Sequence, residues 1–355
     1  MKLLKYLVYI ILVLLIGGAI YFGIKDGKFD VSSSKEMDAP LGMIYQTVNE
    51  YRTWQEWGPW MELDPDVQLT YAETTYGAGA SYSWDSEHPE VGKGSIITLS
   101  VEENRTIDQE IVFGTPLGDS KSDVYWKFEP VENGTMVNVT WGMKGEQTFL
   151  EKVFMAFQPE PFDQSLKSMF DKGLNNLDNR VQNEMNKYSI VVEGVKQHGG
   201  GYYMYTTSAS KISEIGLKMA PMFGIVSDFM NKNNITFAGM PFTVYNQIDD
   251  VNGTVIFSTS IPVNERVITP KGSSVFCGYL EPSRALKTTL SGNYDYLDEA
   301  YEKARSFMLE NNLNAEVSAP MFEIYANDPG MIPNPAEWIT EIYIPLRDPL
   351  NINGQ

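Results

Sequence analysis

The chain has 355 residues, with 46 acidic and 27 basic side chains and a formal charge of −19. That surplus argues against a general nucleic-acid binder, whose phosphate contacts need a basic surface, and against a soluble domain held electrostatically on anionic lipid. One cysteine (Cys277) and two histidines (His88 and His198) exclude an internal disulfide, a paired-cysteine zinc or redox site and a histidine metal cluster, so neither metal nor cofactor is expected.

Tyr6 to Ile24 carries no charge and approaches the roughly 20 apolar residues that span a hydrocarbon core. Lys2 and Lys5 precede it. Lys25 and Lys28 follow it, offset by Asp26 and Asp30. The bias places the N-terminus inside. Residues 1–28 therefore read as a single-pass anchor in an inner (plasma) membrane, with the rest of the chain on the extracytoplasmic side. A cleaved signal peptide is the competing reading, but the run is long for one and no A-x-A site follows it.

Residues 29–188 read as one domain. Phe29 to Lys35 leads into a first strand, and Met43, Ile44, Val48 and Tyr51 recur at helical spacing after Ala39-Pro40. An aromatic cluster follows at Trp54, Trp57 and Trp60, read as core beneath a sheet. Alternating patterns predict strands over 67–75, 80–85, 94–102, 106–113, 123–130 and 135–144, with Asn133-Gly134 as a hairpin turn. Tyr82 and Trp84 fit either cavity lining or core. A long helix, Asp163 to Asn186, closes the domain with Leu166, Met169, Phe170, Leu174, Leu177, Val181 and Met185 on one stripe. Such a helix covers the apolar face of a curved antiparallel sheet and leaves a cavity beneath it.

Residues 189–355 contain an internal duplication. Phe229 to Ile235 (FMNKNNI) matches Phe307 to Leu313 (FMLENNL), Pro241 to Tyr245 (PFTVY) matches Met321 to Tyr325 (MFEIY), itself preceded by Pro320, and Ile256 to Val263 (IFSTSIPV) matches Ile339 to Leu346 (ITEIYIPL). Each half reads as strand, helix, strand, strand, with the helix capped at an Asn-Asn pair. Two such halves predict a pseudo-twofold α/β domain with a central cleft. The halves differ where Thr243 becomes Glu323 and Ser258 becomes Glu341. By alternation Glu323 shares a face with Met321 and Tyr325, and Glu341 with Ile339 and Tyr343. A carboxylate among apolar neighbours is costly unless it is paired or has a task. The competing reading is an ion pair with Arg284 or Arg347. Gly199-Gly200-Gly201 reads as a flexible turn, Cys277 as an inert buried thiol, and both histidines as solvated.

Two family resemblances follow. FDVSSSKEMDAP, YRTWQEWGPWMELDP with its Trp54, Trp57, Pro59, Trp60 pattern, YGAGASYSWDSEHPEVGKGSI and NGTMVNVTWGMKG resemble the START-like, helix-grip SRPBCC superfamily in its polyketide-cyclase-like branch. Gly292-Asn293-Tyr294, the helix Leu297 to Glu310, FEIYANDP and WITEIYIPL resemble the GyrI-like small-molecule-binding domain, which is also the effector-binding part of bacterial transcription activators. The implied fold class is α+β: a helix-grip antiparallel sheet with a long C-terminal helix, then a duplicated α/β GyrI-like domain. The first resemblance implies a hydrophobic cavity, and the second a cleft for lipophilic, often cationic, compounds.

The expected ligand-binding residues are Glu341, Glu323, Tyr325, Trp338, Tyr294 and Tyr343. Glu341 takes the family's acidic position, with Trp338 and Tyr325 as walls. The expected partners are a hydrophobic small molecule or lipid and, through residues 6–24, a membrane. Nucleic acid is not expected, because no basic helix-turn-helix segment is present. The resemblance also implies an alternative: a hydrolase of a reactive small molecule, with Glu341 as general base and Tyr325 or Tyr294 orienting the substrate.

Overall fold

The computed structural model describes residues 2–115, 118–131, 136–327 and 329–348. The Asn133-Gly134 turn lies outside these residues. Helix α1 (Lys2–Ile24) is continuous, and from Leu4 to Ile24 it is long and apolar enough to cross a membrane, with none of that stretch buried. At ~1.5 Å per residue it reaches about 30 Å, the thickness of a hydrocarbon core. An N-terminal helix of this length and composition is either a membrane span or a signal sequence. Beyond it the chain is mixed α+β and divides between residues 183 and 184 into two compact units.

In the first unit, β1 (Lys28–Met37), α2 (Leu41–Asn49) and α3 (Trp54–Trp57) precede strands β2 (Gln68–Tyr71), β3 (Ser81–Asp85), β4 (Lys93–Glu102), β5 (Thr106–Thr115), β6 (Gly118–Pro130) and β7 (Val137–Glu146). Helices α4 (Phe149–Met155) and α5 (Phe162–Met185) follow. The seven strands form one antiparallel sheet in the order β1-β7-β6-β5-β4-β3-β2. The stripe read from the sequence is the buried face of α5: Leu166, Phe170, Leu174, Leu177 and Val181 are buried, whereas Met169 and Met185 are half-buried. The Phe170 ring meets Trp141 of β7 at 4.8 Å. Gly173 lets the helix sit this close, since a Cβ there would come within 2.4 Å of the Trp141 ring.

The aromatic cluster is core, as read. Trp54 and Trp57 are buried, and the Trp54 ring neighbours Tyr51, Trp57, Trp60, Tyr82, Trp126 and Trp141. Trp60 is half-buried. A buried polar chain crosses this core: Trp126 Nε1 donates to Gln109 Oε1, Gln109 Nε2 donates to the Tyr51 hydroxyl, and that hydroxyl pairs with Thr98. Tyr82 and Trp84 are both buried core residues and also line a cavity of about 80 Å³ under α5, together with Trp60, Phe113, Trp141 and Phe170.

The second unit runs β8 (Ser189–His198), β9 (Gly201–Lys211), α6 (Ile215–Lys232), β10 (Phe242–Asp249), β11 (Thr254–Val263), β12 (Phe276–Leu280), β13 (Ser283–Ser291), α7 (Leu297–Glu310), β14 (Met321–Tyr325) and β15 (Ile339–Pro345). Its eight-stranded antiparallel sheet has the order β12-β9-β11-β10-β14-β15-β13-β8. Reading outward from the middle, β10, β11 and β9 mirror β14, β15 and β13. The duplication is thus a pseudo-twofold whose axis passes between β10 and β14. Helix α6 packs on β9 and β11 through Val226 and Met230 against Met204 and Ile261. Helix α7 packs on β13 and β15 through Ala300, Ala304 and Met308 against Leu286, Leu290 and Ile342.

Both helices stop as the Asn-Asn pairs predict. Asn234 and Asn312 take φ of 55° and 53°. Ile235 N–H and Leu313 N–H then reach back to the carbonyls of Met230 and Met308, each at 2.9 Å, closing the same terminal motif in both halves.

The Gly199–Gly201 segment, read as a flexible turn, joins β8 to β9 where only glycine fits at position 200. Gly200 has φ of 68°, and a Cβ there would come within 2.2 Å of the Leu280 carbonyl oxygen. Gly200→Ala is expected to destabilise the unit by about 1–3 kcal/mol. A urea melt with an unchanged midpoint would show that the turn relaxes freely.

Candidate functional site

Direct cross-strand partners share a sheet face, so register decides which side chains meet. Thr243 and Glu323, the pair at which the two halves differ, are direct partners across the pseudo-twofold. Thr259 and Ile342 flank them in the same row. This is the face covered by α6 and α7.

Glu323 is 1% exposed. Tyr301 of α7 donates to its Oε1 at 2.7 Å, Tyr325 donates to Oε2 at 2.9 Å, and the Tyr245 hydroxyl bonds the same carboxylate. Tyr325 also lies 3.1 Å from Thr243 Oγ1 and touches Met219 of α6 through its sulfur. Tyr245 and Tyr325 occupy equivalent positions in the two repeats, so the symmetry itself sets one tyrosine on each side of the acid. Phe223, on α6, meets the Tyr325 ring at 5.8 Å. Tyr294 meets Tyr325 at 5.7 Å and Trp338 at 5.0 Å.

Burial raises the pKa of Glu323 above the ordinary carboxylate value, and the three tyrosine hydrogen bonds offset part of that rise. Burial, and then the charge of Glu323, raise Tyr245, Tyr301 and Tyr325 well above the ordinary phenol value, so they stay protonated and remain donors. Among the described residues, no lysine, arginine or histidine forms an ion pair with this carboxylate. Thr340, the partner of Tyr325, and Thr259, the partner of Thr243, carry buried hydroxyls with no hydrogen-bond partner among the described residues.

Glu341 and Tyr343 lie on the opposite face, so the expected set of six divides. Tyr325 bonds Glu323 and not Glu341, and Trp338 packs on Tyr294, whose ring meets Tyr325. Lys287 of β13 donates to Glu341 Oε1 at 2.9 Å and also lies 3.2 Å from Glu193 of β8. Tyr343 donates to Glu341 Oε2 at 2.9 Å. The ion-pair reading of Glu341 thus describes its contacts, but with Lys287 as the partner. Arg284 instead donates to the Arg347 carbonyl. Burial works against the charge of Lys287, yet its bonds to Glu341 and Glu193 prevail and hold its pKa above the ordinary lysine value. Burial and then Glu341 push the Tyr343 hydroxyl up to about 12. Both Glu341 oxygens are already held, one by an ammonium and one by a phenol, so this geometry gives no support to Glu341 as a general base.

His198 is half-buried against the rings of Phe322 and Tyr343, at 4.7 and 5.3 Å, which corrects its reading as solvated. Burial lowers its pKa against the opposing charge of Glu341. Cys277 is half-buried, and its sulfur accepts the Val267 N–H. Lys287→Met is expected to cost about 1–3 kcal/mol by stranding two partly buried carboxylates. Lys287→Arg is expected to recover most of that loss in the same thermal melt. Equal melts for all three chains would show the network to be neutral.

Sequence reading missed Tyr245, Tyr301, Met219 and Phe223 as site residues. Tyr245 was within reach, because the repeat aligns it with Tyr325. The Phe229/Phe307 match likewise sets Phe223 opposite Tyr301.

A duplicated sheet holding a buried acid and aromatic rings beneath two helices defines a domain built around an internal polar site. Residues 210–347 match the family model of the GyrI-like small molecule binding domain. Among solved structures, the C-terminal domain of EcmrR is similar at 18% identity, covering 46% of this chain and 99% of that one, with a TM-score of 0.39. A protein from Mesorhizobium loti is similar at 13% identity, covering 44% and 98%, with a TM-score of 0.32. SAV2435, solved with tetraphenylphosphonium bound, is similar at 16% identity, covering 45% and 94%, with a TM-score of 0.33. No curated protein matches the chain.

Proposed function

We propose that this chain is a membrane-anchored protein that binds or senses lipophilic cations, with Glu323 as the charge that selects them. One observation carries this reading: a carboxylate 1% exposed, held by tyrosines and with no cationic partner among the described residues. A buried unpaired charge is destabilising, and a delocalised organic cation would relieve it through charge pairing and cation–π attraction to Tyr325, Tyr294 and Trp338. The unpartnered hydroxyls of Thr259 and Thr340 offer further polar contacts. Glu323, Tyr325, Tyr294 and Trp338 are the binding residues from the expected set, joined by Tyr245 and Tyr301. Glu341 and Tyr343 act as structural members of the Lys287 network.

A ligand has to displace side chains to reach Glu323. Met219 is the readiest to move. It sits on the first turns of α6, before Pro221, whose missing N–H leaves the Leu217 carbonyl without its helical donor.

In this reading α1 is the uncleaved anchor over residues 1–28 and the rest lies on the extracytoplasmic side of an inner membrane. Residues 29–188 form an SRPBCC-like domain with a small apolar cavity, and residues 189–355 the cation-binding domain. The test is calorimetric titration of the detergent-solubilised full chain with tetraphenylphosphonium and with a neutral tetraaryl analogue of the same shape. Tighter binding of the cation supports the reading. Equal binding of both, or of neither, overturns it.

A further inference from the structure

Helix α4 was not read from the sequence, and it leaves one apolar face uncovered. Thr148 and Glu151 form a reciprocal capping box that starts it. At ~100° per residue, Phe149, Leu150, Val153, Phe154 and the following Phe157 fall within an arc of about 140°. Phe149, Leu150, Phe154 and Phe157 are 42, 53, 56 and 82% exposed. That arc contains no charged residue, since Glu151 and Lys152 lie outside it.

The edge of α4 next to Phe149 is clamped to the end of α1. Lys152 is buried, and its ammonium donates to the Lys25 carbonyl at 2.6 Å, just past the last turn of α1. Cation and helix C-terminus attract one another there. Gln147 N–H donates to the Gly27 carbonyl at 2.8 Å, and a Cβ on Gly27 would come within 2.4 Å of Gln147 oxygen, so the two segments touch backbone to backbone. The uncovered phenylalanines therefore begin where the apolar stretch of α1 stops, at Ile24.

We infer that α4 and Phe157 lie in the interfacial layer of the bilayer that α1 crosses, so that the first unit rests on lipid instead of swinging on a tether. This rests on the reading of α1 as a span. The occupant of the apolar face is lipid, because the helix that carries the face is fixed against the end of α1. Aromatic side chains on an uncharged helical arc suit the headgroup boundary.

The test uses the full chain in a Cys277→Ser background, reconstituted into phosphatidylcholine vesicles carrying nitroxide-labelled acyl chains. Single cysteines replace Leu12, Phe157 or Glu103 and carry an environment-sensitive fluorophore. Each of these side chains is exposed, so the substitutions leave the fold intact. Glu103 is in the β4–β5 turn, at the end of the sheet away from Lys28 and about 20 Å along the strands. Severalfold quenching at positions 12 and 157, with none at 103, is the expected result. Quenching at 12 with position 157 behaving like 103 overturns the interfacial contact and leaves the anchor standing. Position 157 shielded from both lipid and aqueous iodide also overturns it, and indicates cover by a second copy or another protein. No quenching at 12 removes the anchor reading, and the inference falls with it.

Discussion

Glu323→Gln is expected to weaken binding of a lipophilic cation by about a hundredfold while making the folded chain more stable at neutral pH. The substitution keeps the size and removes the charge; one of the two accepting oxygens becomes an NH2 donor, so the tyrosine hydroxyl facing it has to turn and accept. Two unit charges ~4 Å apart at an effective dielectric of 20 interact by about 4 kcal/mol, so losing ~3 kcal/mol, or about two decades of affinity, is the right scale. Stability moves the other way because burial raises the folded pKa of Glu323 above its unfolded value of about 4.3. Between those values the folded chain binds more protons than the unfolded one, so stability falls as pH rises through that window. The glutamine variant has no such fall. Its advantage is largest above the folded pKa of Glu323 and closes below about pH 4.

Cation binding follows the same group. A cation pairs with the ionised form, so affinity climbs with pH through the same window, and binding within it releases a proton. Titrations in two buffers of different ionisation enthalpy measure that release. Unchanged affinity in the variant would place the cation elsewhere. A variant less stable than the parent at pH 7 would mean that the carboxylate is stabilising in its tyrosine box.

Trp54→Ala is expected to give the largest loss of stability, about 3–5 kcal/mol. The residue is 2% exposed, its ring lies among six other aromatic rings, and its Nε1 donates to the Val48 carbonyl at 2.8 Å. A loss of that size is a large share of the roughly 5–15 kcal/mol that holds a domain together. Tryptophan fluorescence reports it well, because Trp338 is the one tryptophan outside the first unit. Trp54→Phe keeps most of the packing and is expected to fall between the two. A denaturant midpoint for Trp54→Ala close to the parent's would show that the surrounding rings collapse into the space.

Much of the second unit was legible because duplication shows each pattern twice. The FMNKNNI and FMLENNL segments each ended a helix on an asparagine that tolerates positive φ, and the Ile-Pro segments marked the equivalent strands β11 and β15. In the first unit the α5 stripe was plain, since one face of a 24-residue helix repeats its pattern many times. Helix α4 was not, because seven residues are too few to establish a period and its exposed phenylalanines resemble a core pattern. The site was half legible. Alternation placed Glu323 with Tyr325 and Glu341 with Tyr343, but it could not say which pair shared its face with Trp338 and Tyr294.

What the sequence determined by itself were properties carried by neighbouring residues: the apolar length of α1, the alternation of the strands, the asparagine caps and the repeated halves. Tertiary structure decided which acid is buried without a cation and which is paired. Lys287 and Glu341 are 54 residues apart, and Tyr301 and Glu323 are 22 apart. Both contacts depend on strand register and helix placement across the sheet. A register shifted by one residue would turn either acid to the other face, and the energy that prevents the shift comes from the packed core as a whole, not from the residues beside them.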